Sequence, residues 1–410
     1  MNNLAIKNFQ IKNYKAIQDS GIVELEPLTV FIGNNGSGKS SFIEGLETYQ
    51  TIIKHGLDTA MNRWRGYEHL RNKMTTHDLE TSEDGTYESN PMGFKLCRQM
   101  NGSTFCADMA VTLDQEKELL IQNEKLAFDE TLMVERKANN AFYFSEVDSF
   151  DFSAPASNEF SILSKANSAL WAALSRYIKS MGDSFTTTKL MQWLENVNKN
   201  KKFWDSFDWQ FIALNPDNML APTGQKRISR KVQLNKDGSN IAKYLLAIRK
   251  QNPVVFKGIL ETLQRILPYA QNLQVVLSTE LERNVYMELT EGECKIADWL
   301  LSTGTLRIVA LLALLRHPNP PPLIVIEEIE NGLDPRTIRL MVEEICKIIK
   351  AGKTQIILTT HSPYFLDLLQ PEQVVLVERD ATGQPTFNKV AEQSKLQQWT
   401  KHFMPTNNYG

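Results

Sequence analysis

The stretch from Leu28 to Ser41 narrows the choice of fold more than any other part of the chain. Leu28-Thr29-Val30-Phe31-Ile32 is a short, continuous apolar run of the kind that forms a buried strand. It leads into Gly33-Asn34-Asn35-Gly36-Ser37-Gly38-Lys39-Ser40-Ser41, which fits G-x-x-x-x-G-K-[ST]. Glycines let such a loop curl until successive N–H groups face inward, making a cradle for phosphate oxygens. Lys39 is placed to reach β- and γ-phosphates, and the Ser40 hydroxyl to hold Mg²⁺. Ser40 to about Tyr49 then reads as a helix whose N-terminus points at the same anion. The bare pattern arises by chance in roughly one chain in a hundred of this length. The strand before it and the helix after it are what make it specific.

Bulk properties exclude little. The 410 residues carry a net charge of −3, 23% charged and 42% hydrophobic residues, an ordinary globular balance with room for two domains or one core with a large insertion. That charge gives no global attraction to nucleic acid, so any DNA contact needs a local patch. No apolar run approaches the roughly 18 residues of a membrane span. The start, Met1-Asn2-Asn3-Leu4-Ala5-Ile6-Lys7, has neither an apolar signal core nor a lipidation motif, and a cytoplasmic protein with no membrane partner is expected. Cys97, Cys106, Cys294 and Cys346 form no C-x-x-C pair and suggest neither a zinc site nor a disulfide framework.

Periodicity organises the rest. Ala5–Ile11 and Gly21–Leu25 read as a pair of strands, and 94–144 as short antiparallel strands parted by turn residues. A linker-like Asp148–Glu159 precedes a helical region to Leu267, with apolar sets at Leu170, Leu174, Tyr177, Ile178 and at Ile241, Tyr244, Leu245, Ile248. Two strand-like runs follow at Leu273–Ser278 and Asn284–Leu289. Then helices (303–315, 336–350, 365–369) alternate with apolar strands (323–327, 355–359, 373–377), as in a parallel sheet covered on both faces. The two ends of the chain, 1–55 and 295–410, are expected to build one nucleotide core. The antiparallel strands would form a subdomain at 90–150, and 155–290 a mainly helical inserted lobe.

Leu323-Ile324-Val325-Ile326-Glu327-Glu328 is an apolar strand ending in two carboxylates, where ligands of open α/β sheets gather. Neighbouring strand residues point opposite ways, but at a strand end the second can turn inward. Glu327 would bind Mg²⁺ and Glu328 would polarise an attacking water as general base. An acidic exit from a strand is common in isolation, and the preceding phosphate loop is what favours the catalytic reading. Ser302, opening the helix before this strand, is a plausible N-cap. His361 ends the strand after it, in Ile357-Leu358-Thr359-Thr360-His361-Ser362-Pro363.

Taken together, Leu301-Ser302-Thr303-Gly304, Glu327-Glu328, Asn331-Gly332-Leu333-Asp334 and His361 resemble the signature, Walker-B, D-loop and switch-histidine motifs of the ATP-binding-cassette superfamily. Lys39 and Ser302 stand more than 260 positions apart, far more than in transporter cassettes. With the opening Ile11-Lys12-Asn13-Tyr14-Lys15-Ala16, this resembles the RecF/SMC-like branch. Asp237-Gly238-Ser239-Asn240, Leu301–Arg307 and Glu327–Pro335 further resemble the standalone "predicted ATPase" (AAA_21-like) group, related to overcoming-lysogenization-defect proteins but lacking their Toprim domain. That group usually has Pro at Ile329 and His at Asp334. Gln50 and Gln99 both stand open as its Q-loop glutamine.

The resemblance implies an α/β fold: a P-loop ABC-type ATPase head with a mixed or parallel sheet, an antiparallel β subdomain and a large, mostly helical insertion. It implies an enzyme hydrolysing ATP with Mg²⁺, in which Gly33 to Ser41 hold nucleotide, Ser40 and Glu327 hold the metal, Glu328 and His361 act in catalysis, and Ser302, Gly304 and Asp334 contact nucleotide across a dimer. Two ATP molecules would be sandwiched between two copies of the chain, switching a separate effector such as a nuclease, or a DNA-bound complex, in DNA repair or anti-phage defence. An ATP-regulated nuclease within this chain is the alternative. Val374-Val375-Leu376-Val377-Glu378-Arg379-Asp380 starts like a Toprim strand, but no Asp-x-Asp follows. A transporter motor is a third reading. The basic run Lys226-Arg227-Ile228-Ser229-Arg230-Lys231 reads as a phosphate contact or a solvated loop, and the aromatic run Phe203–Phe211 as core or docking face.

Overall fold

The computed structural model describes residues 5–74, 90–100, 103–114, 116–129, 131–137, 140–143, 154–155, 160–164, 205–224, 232–278 and 284–392. The helical set at Leu170–Ile178, the basic run Lys226–Lys231, and Phe203 and Trp204 of the aromatic run lie outside these residues. The chain divides into two compact units, one of residues 1–26, 32–208 and 375–392 and the other of 27–31, 209–374 and 393–410.

The first unit is built on an antiparallel sheet. Its order runs Ala154–Pro155, Asn140–Tyr143, Thr131–Lys137, Leu119–Phe128, Ser103–Leu113, Met92–Met100, Ile6–Tyr14, Ile17–Asp19, with Val23–Glu24 also on Ile6–Tyr14. The strands expected as a separate subdomain at 90–150 therefore continue edge to edge with the N-terminal strand. In that strand Ile6, Phe9, Ile11 and Tyr14 are buried, a spacing that strict alternation does not allow. A register shift between Ile6 and Asn8 and a left-handed Asn13 (φ 51°) supply the two extra residues. The helix Lys39–His55 packs on this sheet through Phe42, Ile43, Leu46, Tyr49, Ile52 and Ile53. Phe42 and Tyr49 each meet the Phe9 ring edge-on at 5.7 Å, and the Tyr14 hydroxyl bonds Thr48 at 2.9 Å. Gly45 sets the closeness of helix and sheet, since a Cβ there would lie 2.4 Å from Ile11 Cδ1.

Two features of this sheet escape sequence patterning. Cys97 and Cys106 stand directly opposite on neighbouring strands and form a disulfide, which corrects the expectation that the cysteines suggest no disulfide. Their spacing of nine residues carries no such signal until the hairpin register is known. Cys294 and Cys346 are free. Glu124 and Arg136 are also a directly opposed pair, with side chains 1% and 0% exposed and Nη1 3.7 Å from Oε2. Burial pushes the Glu124 carboxyl up, and the facing guanidinium pulls it back down. Ser161 Oγ and the Ile162 N–H donate to Glu124, and Arg136 donates to the Phe160 carbonyl at 2.8 Å, so the pair anchors residues 160–162.

The second unit holds parallel strands in the order Gln210–Ile212, Leu323–Ile326, Gln355–Thr360, with Leu28–Ile32 next along the sheet. Every residue of the first three is buried, as a sheet covered on both faces requires. Gln210–Ile212 falls within the stretch expected to be a mainly helical lobe, yet it extends this sheet. Phe207, Trp209 and Phe211 are 1%, 5% and 6% exposed, so this part of the aromatic run is core. The helix Thr303–Leu315 is apolar on every face from Ile308 onward and buried along most of its length. Pro335–Lys350 instead buries one stripe, Ile338, Met341, Val342 and Ile345. A smaller antiparallel sheet joins Thr223–Gly224, Asn284–Glu291, Ala270–Leu277 and Cys294–Ala297, beside helices Ile241–Gln251 and Pro253–Ile266. Among the described residues no helix is long and apolar enough to cross a membrane.

Removing one partner of a buried ion pair strands the other charge. Glu124→Ala should lower the unfolding free energy by about 3–5 kcal/mol in a denaturant titration, and Glu124→Leu with Arg136→Met should recover most of that loss.

Candidate functional site

The phosphate loop belongs to the first unit. Ser37 N–H donates to the Asn34 carbonyl at 3.2 Å, closing a β-turn with Gly36 at φ +74° in its third position. Gly33 and Gly38 are glycine for steric reasons as well. A Cβ on Gly33 would sit 2.0 Å from the Val377 carbonyl oxygen, and one on Gly38, at φ +119°, 2.8 Å from the Pro385 ring. A Cβ on Gly36 would meet no atom within 4 Å, so that face of the loop is open. Lys39 folds its ammonium into the loop, donating to the carbonyls of Gly33 (2.7 Å) and Asn34 (2.9 Å), with Ser37 Oγ at 3.5 Å. Lys39 and Ser37 are buried, Asn34, Asn35, Gly36 and Ser40 exposed, and Ser41 half-buried.

The helix Lys39–His55 starts from Gly38 with no side-chain cap and no acidic residue in its first turn. Its first amides are therefore not claimed by a capping side chain, which suits an anionic ligand. The donor set (left-handed glycines, an inward lysine, an uncapped helix start) fits a polyphosphate. The Ser40 hydroxyl and the Glu327 carboxylate are oxygen ligands of the kind Mg²⁺ takes.

The acids and the signature lie in the second unit. Glu327 continues the strand Leu323–Ile326, its N–H donating to the Ile212 carbonyl at 2.8 Å. Its carboxylate faces Lys236 Nζ at 3.5 Å. Glu328 takes φ +49°, a left-handed conformation that a non-glycine residue adopts at a cost of about 1–3 kcal/mol. That turn breaks the strand's alternation, as the catalytic reading of the two acids requires. Glu328 N–H donates to Thr359 Oγ1 at 2.8 Å, and its exposed carboxylate accepts from the Asn331 side chain.

The Ser302 side chain caps the helix Thr303–Leu315, accepting from Thr305 N–H at 3.0 Å. Gly304 is needed because a Cβ there would lie 2.7 Å from the Gly332 carbonyl oxygen, so the Leu-Ser-x-Gly turn rests directly on the Asn331–Leu333 turn. Asp334 caps the helix Pro335–Lys350 through Thr337 N–H at 3.0 Å, and the Thr337 hydroxyl draws its carboxyl below the usual range. Its oxygens are thus engaged within the chain. His361 is exposed, and its backbone N–H donates to Glu330. Neither glutamine candidate is shown free to reach a metal. The buried Gln50 amide donates to the Phe207 carbonyl at 2.6 Å, and Gln99 lies within the strand Met92–Met100 opposite Thr104.

Several residues join these groups without a motif of their own. Asp237-Gly238-Ser239-Asn240 latches onto the edge strand, with Ala213 N–H donating to the Lys236 carbonyl and Asn215 N–H to the Asp237 carbonyl. That latch places Lys236 against Glu327. Arg307, in the signature helix, is pulled down in pKa by burial and pulled back up by the Glu328 charge. Glu330 Oε2 is buried with no hydrogen-bond partner among the described residues, one turn from Glu328. In the first unit, the Toprim-like start Glu378-Arg379-Asp380 is a hairpin between Val374–Arg379 and Pro385–Lys389. Asp380 Oδ1 accepts from Thr382 and Gln384 there, so that carboxylate closes a turn.

A family model described as "AAA domain, putative AbiEii toxin, Type IV TA system" (AAA_21) matches residues 28–367. No curated protein matches the chain. Among solved structures, an SMC head bound to the C-winged helix domain of ScpA is similar at 11% identity, over 93% of this chain and 96% of that one, with a TM-score of 0.49. The SMC head domain of Thermotoga maritima is similar at 13% identity, over 94% and 98%, with a TM-score of 0.44. A further SMC head with an extended coiled coil, bound to the C-terminal domain of ScpA derived from Pyrococcus furiosus, gives 10% identity over 97% and 100%, with a TM-score of 0.45.

Two outcomes follow from this geometry. Gly304→Ala should destabilise the chain by about 1–3 kcal/mol in denaturant unfolding, because a backbone carbonyl must move to admit the methyl group. Burial pushes the Asp298 carboxyl, four residues before Ser302, up to about 6, while the N–H groups of Met287 and Trp299 hold it back. A carboxyl raised on folding binds its proton more tightly in the native state. Relative to Asp298→Asn, the chain should gain stability as pH falls from about 7 toward 4. Melting curves of both proteins across that range read the difference.

Proposed function

Since the chain belongs to the AAA_21 family of AAA-type ATPase domains, we propose that it binds ATP with Mg²⁺ through Gly33–Ser41, hydrolyses it with Glu328 as general base, and closes into a dimer around the nucleotide. The observation that carries this reading is the shared sheet of the second unit. Leu28–Ile32, the strand that runs into the phosphate loop, and Leu323–Ile326, the strand that runs into Glu327 and Glu328, are separated by the single strand Gln355–Thr360. Ligands of open α/β sheets gather at the carboxyl ends of such strands, which supports the reading.

The roles follow from chemistry. The loop amides and Lys39 bind and orient the β- and γ-phosphates, and Ser40 with Glu327 holds the metal, whose charge would offset that building on the phosphoryl oxygens. Glu328 accepts a proton from the attacking water. Its left-handed backbone and the Thr359 and Asn331 bonds fix the direction of the carboxylate before substrate arrives. Arg307 lies close enough to act on that carboxylate electrostatically. His361, ending the next strand, senses the γ-phosphate.

A single head leaves one side of a triphosphate facing water. In the dimer, a second copy presents the Ser302 hydroxyl and the start of the helix Thr303–Leu315 to that side, adding donors that disappear once the γ-phosphate leaves. Hydrolysis then loosens the pair, and this change of state is what a separate effector, such as a nuclease, or a DNA-bound complex reads in defence or repair.

Glu328→Gln should keep nucleotide binding and reduce ATP turnover at least a hundredfold, and Lys39→Ala should lose binding. Light scattering should report a dimer of Glu328→Gln with MgATP and single chains for Ser302→Arg. Undiminished turnover by Glu328→Gln removes the assigned base. Single chains at saturating non-cleavable analogue remove the dimer.

A further inference from the structure

We propose that Arg379 is a positioning residue of the nucleotide site, holding the Gly36–Ser37 peptide of the phosphate loop in the orientation that turns the Ser37 N–H inward. The inference rests on the ATP-binding reading above and adds to it a residue from the far end of the chain. Arg379 ends the strand Val374–Arg379, 343 positions from Gly36, and its Nε donates to the Gly36 carbonyl at 2.8 Å. Its Nη1 donates to the Gly383 carbonyl at 2.6 Å in the turn of its own hairpin. The guanidinium therefore works as a two-pronged clamp, one prong on the loop and one on a fixed base. Its planar fork suits that task in a way a lysine ammonium does not.

The base is rigid for visible reasons. Asp380 Oδ1 accepts from Thr382 N–H (2.9 Å), Thr382 Oγ1 (2.7 Å) and Gln384 N–H (2.9 Å), which locks the turn that carries Gly383. Lys389, at the other end of the hairpin, bonds Glu24 at 2.7 Å and Glu26 at 3.0 Å. The same hairpin lies against the glycines on both sides of Gly36. Val377 leaves no space for a Cβ on Gly33, Pro385 leaves none on Gly38, and Phe387 packs on Phe42 with ring centroids 5.0 Å apart. The hairpin is the wall on which the loop is moulded, and Arg379 is a charged contact between it and the loop backbone.

What the clamp does follows from peptide geometry. Across a planar trans peptide, the C=O and the following N–H point in opposite directions. With the Gly36 oxygen drawn outward to Arg379, the Ser37 N–H must face the other way, and it does, donating to the Asn34 carbonyl. Gly36, at φ +74° with open space around it, has the freedom to let this peptide rotate. If it did, a carbonyl oxygen would replace an amide proton on the side meant for phosphate. The clamp excludes that state, so ordering the loop need not be done by the ligand.

The test is nucleotide affinity of the full chain set against its stability. Fluorescent MgATP-analogue titration and the KM and kcat of ATP turnover are measured for wild type, Arg379→Ala, Arg379→Lys and Lys389→Ala, with thermal melts of all four. Arg379→Ala should raise Kd and KM roughly threefold to thirtyfold, from the loss of one charge-assisted bond. Arg379→Lys, which keeps the charge but lacks the fork that spans both carbonyls, should fall between. Lys389→Ala, which loosens the hairpin away from the loop, should lower the melting temperature at least as much while leaving Kd unchanged. An unchanged Kd in both Arg379 variants, or an equal rise in Lys389→Ala, overturns the positioning role and leaves the ATP reading intact. A wild-type chain that binds no nucleotide, or a Lys39→Ala variant that binds as well as wild type, overturns both.

Discussion

The phosphate loop is held open by exclusion rather than by attraction. At Gly33 the Val377 carbonyl comes so close that a β-carbon would sit 2.0 Å away, and at Gly38 the Pro385 ring would be 2.8 Å from one. At Gly33 the clash is with backbone, which no rotamer change relieves, and at Gly38 it is with a proline ring at a backbone φ of +119° that favours glycine. Between them, the open Gly36 is confined by one guanidinium. The result is a loop whose walls come from a hairpin more than 330 residues later in the chain, with open space beside Gly36. The helix Lys39–His55 inherits its direction from the same constraint, because it begins at Gly38 and is fixed along its length by Phe9, Ile11 and Tyr14.

In the second unit the corresponding constraint is the sharp exit from the strand Leu323–Ile326. A left-handed Glu328 costs free energy, and three bonds offset it: Glu328 N–H to Thr359, the Asn331 amide to the Glu328 carboxylate, and the Asn331 N–H to the Glu328 carbonyl at 3.1 Å. The turn so formed places the Gly332 carbonyl under Gly304, tying the start of the signature helix to the acids. Ser302 and Asp334 each cap a helix leaving this cluster. The side chains that the resemblance assigns to nucleotide contact thus also carry structural bonds within their own subunit. For Ser302 the two uses are compatible when the Thr305 hydroxyl, 2.8 Å away, is the donor of that pair, since a hydroxyl that only accepts still has a proton to donate. For Asp334, with both oxygens occupied by Thr337, a contact across a dimer would have to be shared with the cap.

How much of this could be read from sequence depends on how local each constraint is. The loop, its strand and its helix were legible because all three lie within about thirty consecutive residues and obey local rules of turn and period. The apolar strands ending at Glu327 and His361 were legible for the same reason. The disulfide was not, because Cys97 and Cys106 meet only once hairpin register is set, and nine residues of spacing fits many registers. Gln210–Ile212 was hidden because a three-residue buried strand has no periodicity to detect. Lys236 and Arg379 were hidden for a different reason. Each is an ordinary surface-type charge in sequence, made meaningful by a partner 91 and 343 positions away, Glu327 and Gly36. The Asp237-Gly238-Ser239-Asn240 motif was visible, but its use as a latch on an edge strand depends on Ala213 and Asn215, more than twenty positions earlier.

Nucleotide affinity in such a loop is a difference between two sets of hydrogen bonds. Lys39 already donates to the carbonyls of Gly33 and Asn34, so a triphosphate must offer its ammonium something better than two neutral oxygens at 2.7 and 2.9 Å. Phosphate oxygens do so because they are anionic, so that both partners of the bond carry charge, whereas a carbonyl meets the ammonium with a dipole only. That exchange favours a polyphosphate over a neutral ligand of the same shape. It also means that any carbonyl turned into the loop competes for the same ammonium. Drawing the Gly36 oxygen away to Arg379 removes one such competitor and leaves an N–H in its place. The hairpin that fixes the loop's shape by excluding β-carbons therefore also sets its polarity, and both effects reach the ligand through backbone atoms alone.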